Sequence, residues 1–142
     1  MGRRIVAVVG LVAVLLGIAA AGVSAATAEA PVVKESFTPL PCRHNSTTLG
    51  EEGCAEKSIL ASDKQIDTLN ARIFKRLNAA GRRDFIAGHN AWFKYRQVYC
   101  LSESDIYQGG TEAGIVQAQC AADVNAAHVG QLKNFLSSLP RG

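Results

Sequence analysis

Four cysteines, Cys42, Cys54, Cys100 and Cys120, follow a strongly apolar amino-terminal stretch. An even number of cysteines in a small exported chain makes disulfide bonding the default expectation. Three connectivities are open to four cysteines. The pairing Cys42–Cys54 with Cys100–Cys120 closes two loops that do not nest, and it is the one expected. Each bond would stabilise the fold by about 2 to 4 kcal/mol, comparable with the whole margin of a small domain. Structural zinc is the rival use of such residues. It fails because there is no C-x-x-C and the histidines at 44, 89 and 128 lack ligand spacing. No metal or cofactor is expected.

The export reading rests on the first 28 residues. Met1 to Arg4 is a short basic region, Ile5 to Val23 is apolar apart from three glycines, and Ser24 to Ala30 is rich in small residues. This is a secretory signal pattern, with cleavage expected after Ala28. No cysteine precedes residue 42, so a lipoprotein anchor is not expected, nor stable membrane insertion once the signal is removed. The remaining 114 residues carry 13 basic and 12 acidic side chains. The high isoelectric point of the full chain therefore gives no argument for nucleic-acid binding. The cluster Lys75, Arg76, Arg82 and Arg83 has no interleaved aromatics and does not revive that argument.

Residues 29 to 53 hold three of the four prolines and show neither helical nor strand periodicity, which predicts an irregular extended arm and loop. From Cys54 the pattern changes. Ile59, Ile66, Leu69, Ile73 and Leu77 share one helical stripe, predicting a first helix over about 54–80 with Gly81 as its carboxy-terminal cap. Phe85, His89, Trp92, Arg96 and Tyr99 step by four and three, predicting a second helix over about 83–101. A loop over 102–110 then leads to a third helix capped by Thr111. Its stripe of Ile115, Ala118, Ala122, Val129, Leu132 and Leu136 continues towards Pro140. The expected fold is all-α: a small three-helix bundle with two disulfides behind an irregular arm. The expected division is 1–28 signal peptide, 29–53 arm and disulfide loop, and 54–142 helical domain.

Signatures of catalysis are missing: no G-x-S-x-G, no H-E-x-x-H, no phosphate loop. A binder without catalytic residues is expected. Asp63 and Asp67, one helical turn apart, read as a solvated face. His89 reads as a packed, hydrogen-bonded histidine, Trp92 as a filler of the bundle, and Arg96 as the partner of a first-helix acid such as Asp67. Asn45-Ser46-Thr47 fits a glycosylation sequon. The segment 102–114 carries Glu103, Asp105 and Glu112 with no lysine or arginine, and it presents Ile106, Tyr107 and Gln108 just before a double glycine. A disulfide-braced loop of this kind is a candidate partner-binding tip.

Over about 54–136 the chain resembles the LprI-type lysozyme-inhibitor domain family of small exported bacterial proteins. The resemblance rests on Cys54-Ala55, Asp67 with Leu69-Asn70, Ala91-Trp92, Tyr95-Arg96, Cys100, Gly109-Gly110-Thr111, Cys120 and Leu132. The chain has His89, Gln97, Asn125 and His128 where the family commonly has Gln, Asp, Thr and Arg. The resemblance implies a helical, disulfide-bonded domain of the cell envelope that binds and inhibits a lysozyme-like muramidase. An envelope adaptor module that binds another protein or a cell-wall polymer is the alternative.

Overall fold

The computed structural model describes residues 28–43 and 47–140. The signal-peptide reading, apart from Ala28, and most of the sequon lie outside them. Three helices follow one another: α1 (Thr48–Arg76), α2 (Ala79–Asp105) and α3 (Thr111–Ser138). No strand occurs among the described residues. The all-α, two-disulfide fold is therefore the observed one.

The helix boundaries differ from the periodicity in instructive ways. Helix α1 starts ahead of Cys54 because the Thr47 hydroxyl caps it, accepting from Gly50 N at 3.2 Å. It also ends earlier than expected. Leu77 is extended, and the Asn78 side chain accepts from Gly81 N at 2.8 Å, so Asn78 restarts the chain as α2 and Gly81 belongs to the new helix instead of ending the old one. The first four residues of the expected 102–110 loop are helix, since α2 continues to Asp105. Gly110, not Thr111, occupies the N-cap of α3, and no side chain caps that helix.

Cross-contacts set the directions of the helices. The Glu52 carboxylate lies over Gly114, Asn125 Nδ2 donates to Asp63 Oδ1 at 2.8 Å, and Arg76 Nη1 donates to the Leu136 carbonyl at 3.4 Å. The near-constant sequence offset makes α1 and α3 parallel neighbours. Helix α2 runs back between them in sequence, with His89 opposite Asn70 and Arg96 opposite Asp63. The apolar core is the α1–α3 seam of Ile66, Leu69, Ile73, Val129, Leu132 and Leu136. Val33, Phe85 and Trp92 are partly buried against it. Burying each such aliphatic side chain contributes about 1.5 to 3 kcal/mol.

Helix α2 joins this core in a different way. It has only four buried residues, His89, Arg96, Cys100 and Ser104, against ten in α1. The expected inward stripe is half realised. His89 and Arg96 are buried, Phe85 and Trp92 are half-buried, and Tyr99 is exposed. The arm explains the difference. Running antiparallel to α1, it donates from Val33 N to Asp67 Oδ1 at 2.8 Å and from Leu40 N to Glu56 Oε2 at 2.5 Å. The Pro31 carbonyl accepts from Asn70 Nδ2 at 3.1 Å. Its end passes so close to α1 that a Cβ on Gly53 would sit 2.7 Å from the carbonyl oxygens of Leu40 and Pro41, which requires glycine there. The arm thus occupies the groove between α1 and α2.

Both disulfides join the expected partners, Cys42–Cys54 at the foot of the arm and Cys100–Cys120 between α2 and α3. Because α2 buries so few apolar side chains, the second bond carries much of its attachment. Replacing both Cys100 and Cys120 by Ser should cost about 3 kcal/mol. Amide exchange should then rise first in α2 while α1 and α3 stay protected, and uniform loss of protection in all three helices would contradict this assignment.

Candidate functional site

Two places concentrate polar chemistry: a buried cluster beneath α2 and the tip where α2 turns into α3. The cluster centres on Arg96, whose side chain is 3% exposed. Its Nη2 meets Glu35 Oε1 of the arm at 2.5 Å, and its Nη1 donates to Asn125 Oδ1 at 2.8 Å and to Asp63 Oδ1 at 3.4 Å. The guanidinium also lies over the Phe93 ring, 4.7 Å from its centroid. Asn125 completes the link to α1 by donating from Nδ2 to Asp63 Oδ1 and to Ser62 Oγ, both at 2.8 Å. The expected Arg96–Asp67 pair is not formed. Asp67, one turn further along α1, accepts from the arm backbone instead. Nor is Asp63 on a solvated face, since it is 6% exposed.

One cation serves two carboxylates here, and that fixes the electrostatics. Burial first, and the Glu35 charge second, push the Asp63 carboxyl up to about 7, against the lowering effects of Arg96 and Asn125. Its Oδ2 is buried without a hydrogen bond of normal length, so nothing on that oxygen offsets the cost of burying the charged form. His89 is buried against Asn70, with Nδ1 3.2 Å from Asn70 Nδ2, and His128 stacks on Trp92 at 3.9 Å between ring centroids. Burial is the main cause that lowers both histidines below the usual imidazole range. Arg96, Glu35, Asp63 and Asn125, with Asn70 and His89 further along, form a polar spine beneath α2, and His128 lies half-buried at its edge on Trp92. Beside it a cleft of about 440 Å³ opens between arm and bundle, with Glu35, Glu52 and Glu56 on its walls and Arg96 at its base. Burial and the neighbouring Glu56 raise the Glu52 carboxyl. Among the described residues no group of three His, Cys, Asp or Glu side chains is arranged to hold a metal ion.

The tip is built from backbone turns. Tyr107 N donates to the Ser104 carbonyl and Gln108 N to that of Asp105, each at 3.0 Å, while Gly110 N donates to the Tyr107 carbonyl at 2.9 Å. Gln108 and Gly109 both take positive φ, 50° and 73°, and so reverse the chain within a few residues. Ile106 is left 73% exposed and Tyr107 39%. Asp105 and Gln108 are exposed, and Glu112 is exposed in the first turn of α3, where the helix dipole favours an acid. Glu103 is half-buried. Its carboxylate accepts from the Tyr99 hydroxyl and holds that phenol above its usual range. The structure therefore brings Glu103, Asp105, Ile106, Tyr107 and Gln108 together at one end of the bundle, with Glu112 leading away from it. Sequence reasoning missed Glu35, Asp63 and Asn125 as partners of Arg96. It also placed Tyr99 inside the bundle, whereas Tyr99 stacks outside on Tyr95 with ring centroids 5.3 Å apart.

These features define a small, disulfide-braced helical domain with a polar spine and an exposed tip. A family model described as "Lysozyme inhibitor LprI" matches residues 42–132, and the chain belongs to that family. No curated protein and no solved structure gave a significant match.

The spine yields two expectations. Arg96→Met should cost about 3 to 5 kcal/mol, because it strands buried carboxylates without their cation. Asp63→Asn should act in the opposite sense at neutral pH. With its folded-state pKa raised from 3.8 to about 7, Asp63 contributes stability that is complete below the unfolded value and is lost as pH rises towards 7. Buried neutral His89 and His128 work the other way as pH falls below 6.5, so the variant must be compared with wild type at each pH. Melting curves should show Asp63→Asn gaining on wild type from pH 4.5 to 7.5. A constant gap would mean that Asp63 is already ionised in the fold.

Proposed function

We propose that this protein is an exported inhibitor of lysozyme-type muramidases that works by occlusion, seating the tip between α2 and α3 against the enzyme without chemistry or cofactor. Membership of the inhibitor family supports the choice of partner. The observation that carries the site is the 73% exposure of Ile106 at the head of a disulfide-anchored turn. An exposed isoleucine beside a tyrosine on a braced turn is the kind of anchor that buries well in a partner's cleft. Glu103 and Asp105 at the end of α2 and Glu112 in the first turn of α3 give this end negative charge, and Gln108 adds an exposed polar group. Muramidases of animal type are basic, so these acids would steer association even though the chain without its first 28 residues has a net charge of only +1. Two disulfides suit an oxidising, extracytoplasmic setting. Among the described residues no helix is long and apolar enough to cross a membrane.

Purified, oxidised protein should suppress lysozyme clearing of cell-wall suspensions at near-stoichiometric ratio. No suppression at saturating protein would overturn the reading in favour of an envelope adaptor. Changing Glu103, Asp105 and Glu112 together to amides should slow association at low salt. That deficit should fade as ionic screening shortens to about 8 Å. Tyr107→Ala should instead speed dissociation by an amount on the order of 2 kcal/mol at every salt concentration.

A further inference from the structure

The tip is the end of a longer surface. Large exposed hydrophobic side chains are concentrated on α2 and its tip: Tyr95 at 54%, Val98 at 51%, Tyr99 at 41%, Leu101 at 49%, then Ile106 and Tyr107. Helical geometry places Tyr95, Val98, Tyr99 and Ile106 on one side of α2, turned away from the buried His89, Arg96 and Cys100. From Ala91 to Ile106 this stripe is about 22 Å long at 1.5 Å per residue. Together with the tip it would form part of one side of a standard interface, about 800 Å² per partner. All three tyrosines of the chain, Tyr95, Tyr99 and Tyr107, lie on α2 or its tip, and none is buried. Tyrosine combines a large apolar ring with a hydroxyl that tolerates water, the combination enriched where proteins bind one another.

Charge identifies the partner. Lys94 borders the groove of Tyr95, Val98 and Tyr99 at its start, while Glu103 and Asp105 lie at its tip end, beyond which no lysine or arginine follows before residue 133. The Tyr95–Tyr99 stack leads into this acidic end, and Glu103 touches the Tyr99 hydroxyl itself. A second copy that brought the two tip ends together would place like charges there, whereas a basic protein would be drawn to that end.

We propose that the outer face of α2, with Tyr95, Val98 and Tyr99 at its centre, is a docking surface for a protein with a basic face, continuous with the tip. The partner lies along the helix and does not merely cap its end. The choice of a muramidase as that partner rests on the function proposed above. The polar spine makes the surface possible, because Arg96, His89 and the Cys100 disulfide, with the half-buried Phe85 and Trp92, hold α2 from within and leave Tyr95 and Tyr99 free of any role in the core.

The test measures binding of full-length oxidised protein to animal-type lysozyme, with lysine-rich cytochrome c as an unrelated basic probe. Tyr95→Ala with Tyr99→Ala, and separately Val98→Arg, should each raise the dissociation constant for lysozyme on the order of 30-fold. Melting temperatures should be unchanged, since all three positions are exposed. Lysozyme binding by wild type that both variants retain in full overturns the α2 face and leaves occlusion by the tip standing. If wild type binds cytochrome c but not lysozyme, and the tyrosine variant loses that binding, the face is upheld and the muramidase reading fails. Binding of neither probe at low salt overturns both. Sedimentation of wild type as a dimer that the double variant abolishes would give the face to a second copy and overturn the proposal.

Discussion

Arg96 is the residue on which the arrangement depends. It sits on α2 and reaches the arm through Glu35, α1 through Asp63, and α3 through Asn125. Every element of the described structure therefore meets at one guanidinium. A planar donor with several N–H groups suits this position, because it can satisfy acceptors on different elements at once without losing its charge. A buried ion pair of this kind adds little net stability compared with apolar packing, yet removing one member is costly, so it specifies the arrangement more than it strengthens it.

The arm depends on this arrangement and supports it in turn. A segment without periodicity would ordinarily be a solvated tail, but here its backbone is satisfied by Asp67, Asn70 and Glu56 of α1, and its Glu35 neutralises Arg96. The Cys42–Cys54 bond ties its far end to α1. With the arm lying in the α1–α2 groove, α2 needs few apolar side chains facing inward. The most deeply buried side chains of α2 became largely polar, with Phe85 and Trp92 half-buried beside them, while its outer face kept the tyrosines, a partial inversion of a usual amphipathic helix.

That inversion connects fold to function. A helix held from inside by an ion-pair cluster and a disulfide can present tyrosines to a partner without weakening the core. Glu103 and Asp105 lie at the tip end of the same helix, so attraction at long range and apolar contact at short range come from neighbouring residues. Membership of the lysozyme-inhibitor family is consistent with a protein whose useful chemistry is all on its surface.

Much of this was legible in the order of residues. The three-four spacing of Ile59, Ile66, Leu69 and Ile73 marks α1 and its buried stripe, because helical repeat and apolar burial are local consequences of sequence. The disulfide pairing is the one preferred from short loop closure among three open to four cysteines, whereas the spacing left open whether Ile106 stands out or folds back over the bundle end, and the structure shows it exposed. Tertiary structure alone decided the rest. On α2 the residues 85, 92 and 99 and the residues 89, 96 and 100 form adjacent stripes, and spacing does not say which one faces inward when both carry large side chains. The arm settled it by filling the groove, and no periodic signal in residues 29 to 53 announces where an extended strap will lie. For the same reason Asp67 looked like the partner of Arg96 and Asp63 looked solvated. One helical turn separates them, and only the placement of Glu35 and Asn125 from distant parts of the chain determines which acid the guanidinium meets.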